Sequence, residues 1–191
     1  MMERSRKVVV GAFVFTVAIL TVGYIAFGLV TDLIFASGFL TGFVIWLFSK
    51  QQPDSSELKV PYWLTLVIFI GHRVEEKVAG FFNALADITG VPTPEILSVP
   101  VIALVLVSVG AWLLIPLLIK RKLTFGYYLL WTFFSAMGIT ELAHFVLPFF
   151  TGQPYGYFPG MISVIFLAPV AWWGIYRLSK KPFYYDTIDQ P

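Results

Sequence analysis

Runs of about twenty apolar residues recur along this chain, and that length is what a helix needs to cross the hydrocarbon core of a bilayer. Of the 191 residues, 58% are hydrophobic and only 13% are charged, about half the charged share of a soluble domain. The pattern predicts an all-α, polytopic membrane helical bundle, with residues 1–191 as one integral membrane domain. The runs place six transmembrane helices at about 8–30, 33–49, 62–86, 97–119, 125–147 and 161–178. Thr31 and Asp32 mark the first turn, and no small-residue cleavage site follows the first run, so it reads as a retained helix. In the second run, "GFLTG" sets Gly38 and Gly42 four apart, a spacing that lets helix backbones approach closely.

An even number of spans puts both termini on one side. Every one of the 13 Lys and Arg residues except Arg73 and Lys77 falls at that side of the six-span arrangement. The positive-inside rule then makes both termini cytoplasmic, in the cell (plasma) membrane. The basic residues flank apolar runs, so no nucleic-acid partner is expected. The absence of cysteine excludes disulfides, thiolate nucleophiles and cysteine-ligated metals.

Against this apolar background the third run carries "IFIGHRVEEKVAGFF", with His72, Arg73, Glu75, Glu76 and Lys77 within six residues. Burying such a set costs on the order of 10 kcal/mol on insertion scales, so neighbouring helices, water or a ligand must offset it. At ~100° per residue from His72, Glu76 falls near 40° and Glu75 near 300°, on one face; Arg73 and Lys77 fall near 100° and 140°, on an adjoining cationic strip. The fifth run repeats the theme with Glu141 and His144, an E-x-x-H pair one turn apart. These are the chain's only two histidines, and each stands three residues from a glutamate. Counted from the cytoplasmic ends at ~1.5 Å per residue, His72, Glu76 and Glu141 lie at compatible depths, near ~15, ~21 and ~24 Å.

His72, Glu75, Glu76, Glu141 and His144 are therefore the candidate metal ligands. A mixed His/carboxylate set suits zinc, iron or manganese, as one ion or as two bridged by carboxylates. Glu75, Glu76 and Glu141 are the candidate catalytic groups, and Arg73 and Lys77 would balance charge or hold an anionic group. Three carboxylates against two cations leave one negative charge for a metal, a shared proton or a cationic ligand to settle. The expected function is a small membrane enzyme acting on a lipid or isoprenoid-like substrate. Metal-free acid–base isomerisation of a lipid, a proton- or ion-coupled carrier, and a subunit of a membrane complex or homo-oligomer stay open beside it. Asp32 and Asp87 read as turn or helix-end residues, Met137 as packing, and Thr140 as bonded to its own helix backbone. The aromatic, uncharged "FFTGQPYGYFPG" suits a loop over the outward mouth of the bundle. Tyr155 and Tyr157 within it also suit an interfacial belt.

The run His72-Arg73-Val74-Glu75-Glu76 resembles the motif of the HXXEE-domain integral membrane proteins. The likeness continues in the following "GFF", in His144, and in "YGYFPGMISVIFLAP" with Tyr157, Pro159, Gly160 and Pro169. It covers about residues 62–180 and leaves the first two spans outside. The resemblance implies that these positions matter together, and it implies no particular reaction.

Overall fold

The computed structural model of the protein describes residues 5–49, 52–93, 95 and 97–180. Arg4, Lys50 and Lys181 of the charge pattern, and the polar tail, lie outside the described residues. Among those described, the fold is all-helical. Helix α1 (Arg6–Phe48) is followed by α2 (Ser55–Ala79), α3 (Phe81–Thr89), α4 (Val99–Leu113) and α5 (Ile115–Lys120). Then come α6 (Thr124–Gly138), the short α7 (Ala143–Val146) and α8 (Met161–Ser179). Four stretches are long and apolar enough to cross a membrane: Arg6–Phe48, Val99–Lys120, Thr124–Phe150 and Met161–Ser179.

Helix α1 is two rods. Gly28 stands at φ 76°, ψ 177°, a conformation only glycine takes cheaply. The chain doubles back there, bringing the Phe13 and Phe43 rings to 6.1 Å. The turn thus comes three residues before the predicted one at Thr31–Asp32, which instead open the returning rod. The Gly38/Gly42 face packs as the spacing predicts. A Cβ on either would stand 2.6 Å from a Cα of α6, at Ala136 and Thr132 respectively.

Helix α2 starts at Ser55 rather than near Tyr62, because "DSSE" supplies a helix start: Asp54 is the N-cap and Glu57 lies in the first turn. It ends at Gly80 (φ 76°), where the predicted single span breaks into α2 and α3. The fourth predicted span is nicked between α4 and α5. Pro116 has no N–H to give the carbonyl four residues back, that of Trp112, and the Tyr62 hydroxyl donates to that carbonyl at 2.9 Å.

Helix α6 is the axis of the bundle, buried at every position from Gly126 to Gly138. Many apolar side chains of the surrounding helices point outward, among them Val67, Ile70, Leu106 and Phe166, each at least 58% exposed. A soluble domain rarely shows so large a continuous apolar surface. One end of the bundle gathers the start of α2, the start of α6 and the end of α8. Tyr127 donates to the Pro53 carbonyl at 3.0 Å, and Arg177 lies 3.7 Å from Glu57. The residues of interest in the late turns of α2 lie toward the other end.

Candidate metal centre

His72, Arg73 and Glu76 come from the penultimate turns of α2, where an i, i+4 spacing stacks His72 and Glu76 on one side. Their partners come from a segment that is not regular helix. At Ile139 (φ −125°, ψ −55°) α6 stops, and Thr140–Leu142 form a 3₁₀ turn leading into α7. With about three residues per turn, such a turn eclipses positions i and i+3, so Glu141 and His144 stand side by side. The break leaves the Gly138 carbonyl at a helix end, and Trp172 of α8 donates its indole N–H to it at 2.7 Å. The Thr140 hydroxyl lies 3.3 Å from that of Ser37 on α1, rather than bonding its own helix as the sequence reading has it.

The four side chains converge. One ligand atom from each of His72, Glu76, Glu141 and His144 lies within 4.8 Å of the other three, and all four residues are buried. His72 Nε2 is 3.5 Å from Glu76 Oε1 and 3.1 Å from Glu141 Oε2. His144 Nε2 is 3.3 Å from each of the same two oxygens. A tetrahedral zinc shell with bonds of about 2.0–2.1 Å has six ligand–ligand edges of about 3.3 Å; the four N···O separations match four of them, in a set that could hold one ion. Glu76 Oε1 is buried and makes no hydrogen bond, although buried polar atoms nearly always find a partner.

What surrounds the four donors fixes which atoms face inward. The Pro159 carbonyl, which can only accept, lies 2.5 Å from His144 Nδ1; that nitrogen therefore donates, and Nε2 is the ring nitrogen that faces the centre. His72 Nδ1 lies 2.8 Å from the Ser163 hydroxyl. Ser163 directs its own proton to the Gly160 carbonyl at 3.1 Å, so it accepts from His72 Nδ1 and turns Nε2 toward the centre. Metal-bound histidines are held in this way, with the second ring nitrogen donating to a fixed acceptor. Arg73 performs the matching task for the acids. Nη1 bonds Glu76 Oε2 at 2.6 Å and Nη2 bonds Glu141 Oε1 at 3.0 Å, so both outward oxygens are occupied and one oxygen of each acid is left for the centre. Two carboxylates and one guanidinium leave a net charge of −1 with neutral imidazoles, a charge that attracts a cation.

Glu75, a predicted fifth ligand, is not among the converging groups. It lies ~100° around the helix from Glu76 and faces the start of α8. There Tyr157 Oη donates to Oε1 at 2.9 Å, and the Ile162 and Ser163 N–H groups donate to Oε1 and Oε2 at 3.2 and 2.8 Å. It thereby anchors the serine that orients His72. Lys77 is exposed and forms no ion pair with a described residue. Of the cationic pair, Arg73 alone is joined to the site.

The segment before α8 supplies groups the sequence reading valued only through resemblance. Gly160 (φ 95°) closes over the centre: a Cβ there would lie 2.6 Å from His144 Nδ1 and 2.9 Å from His72 Cε1. The aromatic loop containing it reaches Glu75 through Tyr157. Phe81, released from α2 by the break at Gly80, sets its ring 4.9 Å from that of His144. The two imidazoles meet edge to face at 4.8 Å. Ser163, which carries no charge or metal-ligand signature, has no sequence signal that could have found it.

Comparison of the chain with protein-family models, with curated proteins and with solved structures finds no match. The likeness to the HXXEE-domain proteins therefore rests on the motif residues themselves.

Proposed function

We propose that the chain is an integral membrane protein with a mononuclear divalent metal centre held by His72, Glu76, Glu141 and His144, and that it is an enzyme acting on a hydrophobic substrate drawn from the bilayer. The carrying observation is the convergence of two oriented imidazole nitrogens and two carboxylate oxygens, one of them without a hydrogen bond. One ion rather than two is favoured because Arg73 occupies the oxygens a second ion would need for bridging. Two nitrogens and two oxygens suit zinc, with iron or manganese as competitors. A bound divalent ion would supply Lewis-acid polarisation of a substrate oxygen or activation of water.

Arg73 supports the enzymatic part of the reading. Its side chain is 42% exposed while those of the four candidate ligands are 7% exposed or less, so among these five it is the one open to the surroundings. An amphiphile with an anionic group would meet this guanidinium, which lies over the Phe69 ring at 4.9 Å. The six spans follow if α1 is counted as two rods and the charged, 25-residue α2 as one crossing. With the basic end cytoplasmic, both termini lie in the cytoplasm and the centre in the outer half of the bilayer. A second reading, metal-free acid–base isomerisation of a lipid, draws on the same net charge of −1, which one proton shared between the histidines would also balance.

Cobalt(II) added to metal-free protein tests the centre. The expected result is the intense visible absorption of four-coordinate cobalt, absent from His144→Ala; the weak spectrum of hydrated cobalt in both would overturn it. Incubation of loaded protein with a membrane lipid extract tests the enzyme. A lipid consumed by wild type and spared by Glu141→Gln is expected, and identical extracts after both would contradict catalysis.

A further inference from the structure

Far from the metal centre, at the basic end, α2 and α5 part to leave a groove of about 390 Å³, within the range of small-molecule sites. Its origin is local. Pro116 frees the Trp112 carbonyl, the Tyr62 hydroxyl takes it at 2.9 Å, and that bond fixes the Tyr62 ring as one wall. Trp63, Ile115 and Pro116 add apolar surface, while Lys59 and Lys120, both exposed, stand on opposite sides of the same groove. The acidic residues of α2's first turns do not neutralise them. Glu57 is paired with Arg177 at 3.7 Å, and no acidic residue lines the groove.

A greasy slot flanked by two unneutralised ammonium groups complements one kind of molecule in its surroundings. We infer that the groove between α2 and α5 binds an anionic phospholipid, its phosphate between Lys59 and Lys120 and an acyl chain against Tyr62, Trp63 and Ile115. Basic pockets between helices at a cytoplasmic surface bind acidic head groups in this way, at about 1 kcal/mol per lysine. The site is separate from the metal centre and independent of what reaction that centre performs.

The test is native mass spectrometry of detergent-stripped protein titrated with phosphatidylglycerol or phosphatidylcholine. Wild type is expected to retain one phosphatidylglycerol in preference to phosphatidylcholine. Lys59→Gln/Lys120→Gln should weaken this about 30-fold, and each single substitution about 5-fold. Arg121→Gln/Lys122→Gln removes the same charge at the same end outside the groove and is expected to leave retention within about twofold. Equal retention of both lipids by wild type would overturn the proposal, and so would equal losses in the two double variants, since that is bulk surface attraction. The single variants decide the question if the double variant does not fold. Cobalt binding at the metal centre, expected unchanged in all of them, separates loss of this site from loss of the fold.

Discussion

Arg73 reaches two carboxylates that belong to different elements, and its fork geometry lets one side chain turn both. Lysine keeps the charge but not the fork. Arg73→Lys is therefore expected to lower metal affinity about 10- to 100-fold, the usual effect of disturbing groups that orient ligands. Competition with a chromogenic chelator measures it, and an unchanged affinity would remove the guanidinium from the account. Ser163→Ala should fall in the same range, because His72 then loses the acceptor that turns Nε2 toward the centre. Gly160→Ala pushes a methyl group against both imidazoles and is expected to abolish metal binding and lower Tm. The four converging residues are legible in the sequence because ionisable side chains in an apolar run are costly and must be paired. Glu75 groups with them on a helical wheel, which cannot say which of two adjacent acids faces a neighbour; in the structure it faces the start of α8. Ser163 and the Pro159 carbonyl carry no charge, so no cost betrays them.

At the scale of elements, hydrophobic length located the helices, and glycine and proline decided where they break. The last span was read nearly to the residue, since Gly160 and the basic residues after Leu178 bound a continuous apolar run. The turn at Gly28 is expected three residues late, at Thr31–Asp32, and the breaks at Gly80 and Ile139 leave no trace in the apolar pattern, because apolar continuity reports burial and says nothing of backbone direction. Yet the break at Ile139 aligns Glu141 with His144, and that at Gly80 delivers Phe81 to His144. The Gly38/Gly42 spacing foretells a close backbone approach, and the structure supplies its partner, α6. Gly42→Leu is expected to destabilise the protein by about 1–3 kcal/mol or more through overpacking. Reversible unfolding in detergent checks it, with Leu106→Ala on the exposed face of α4 as a variant expected to change little.

Across the whole molecule the charges divide into two systems. Among the described residues, the flanking lysines and arginines gather where the starts of α2 and α6 meet the end of α8, and the Arg73 network lies toward the opposite end. A chain without cysteine invites single-cysteine labelling to test the orientation this implies. Lys122→Cys is expected to react with an impermeant maleimide only after the membrane is opened, and Asp87→Cys in intact cells. The reverse pattern would turn the site toward the cytoplasm. The cluster also joins distant parts of the chain, since its four residues come from α2 and the α6–α7 junction while the groups bonded to the histidines lie at or just before the start of α8. Removal of a bound ion should therefore loosen three elements together and lower Tm as a single step.

The most direct measurement is the metal content of protein purified without chelators and then offered zinc, for wild type and for Glu76→Gln. The substitution preserves shape while it removes the charge of the carboxylate whose inner oxygen has no hydrogen bond. One zinc per chain in wild type, retained through desalting and lost from the variant, is the expected result. Wild type that holds no zinc, iron or manganese after such loading, or a variant that holds as much as wild type, would contradict the metal centre.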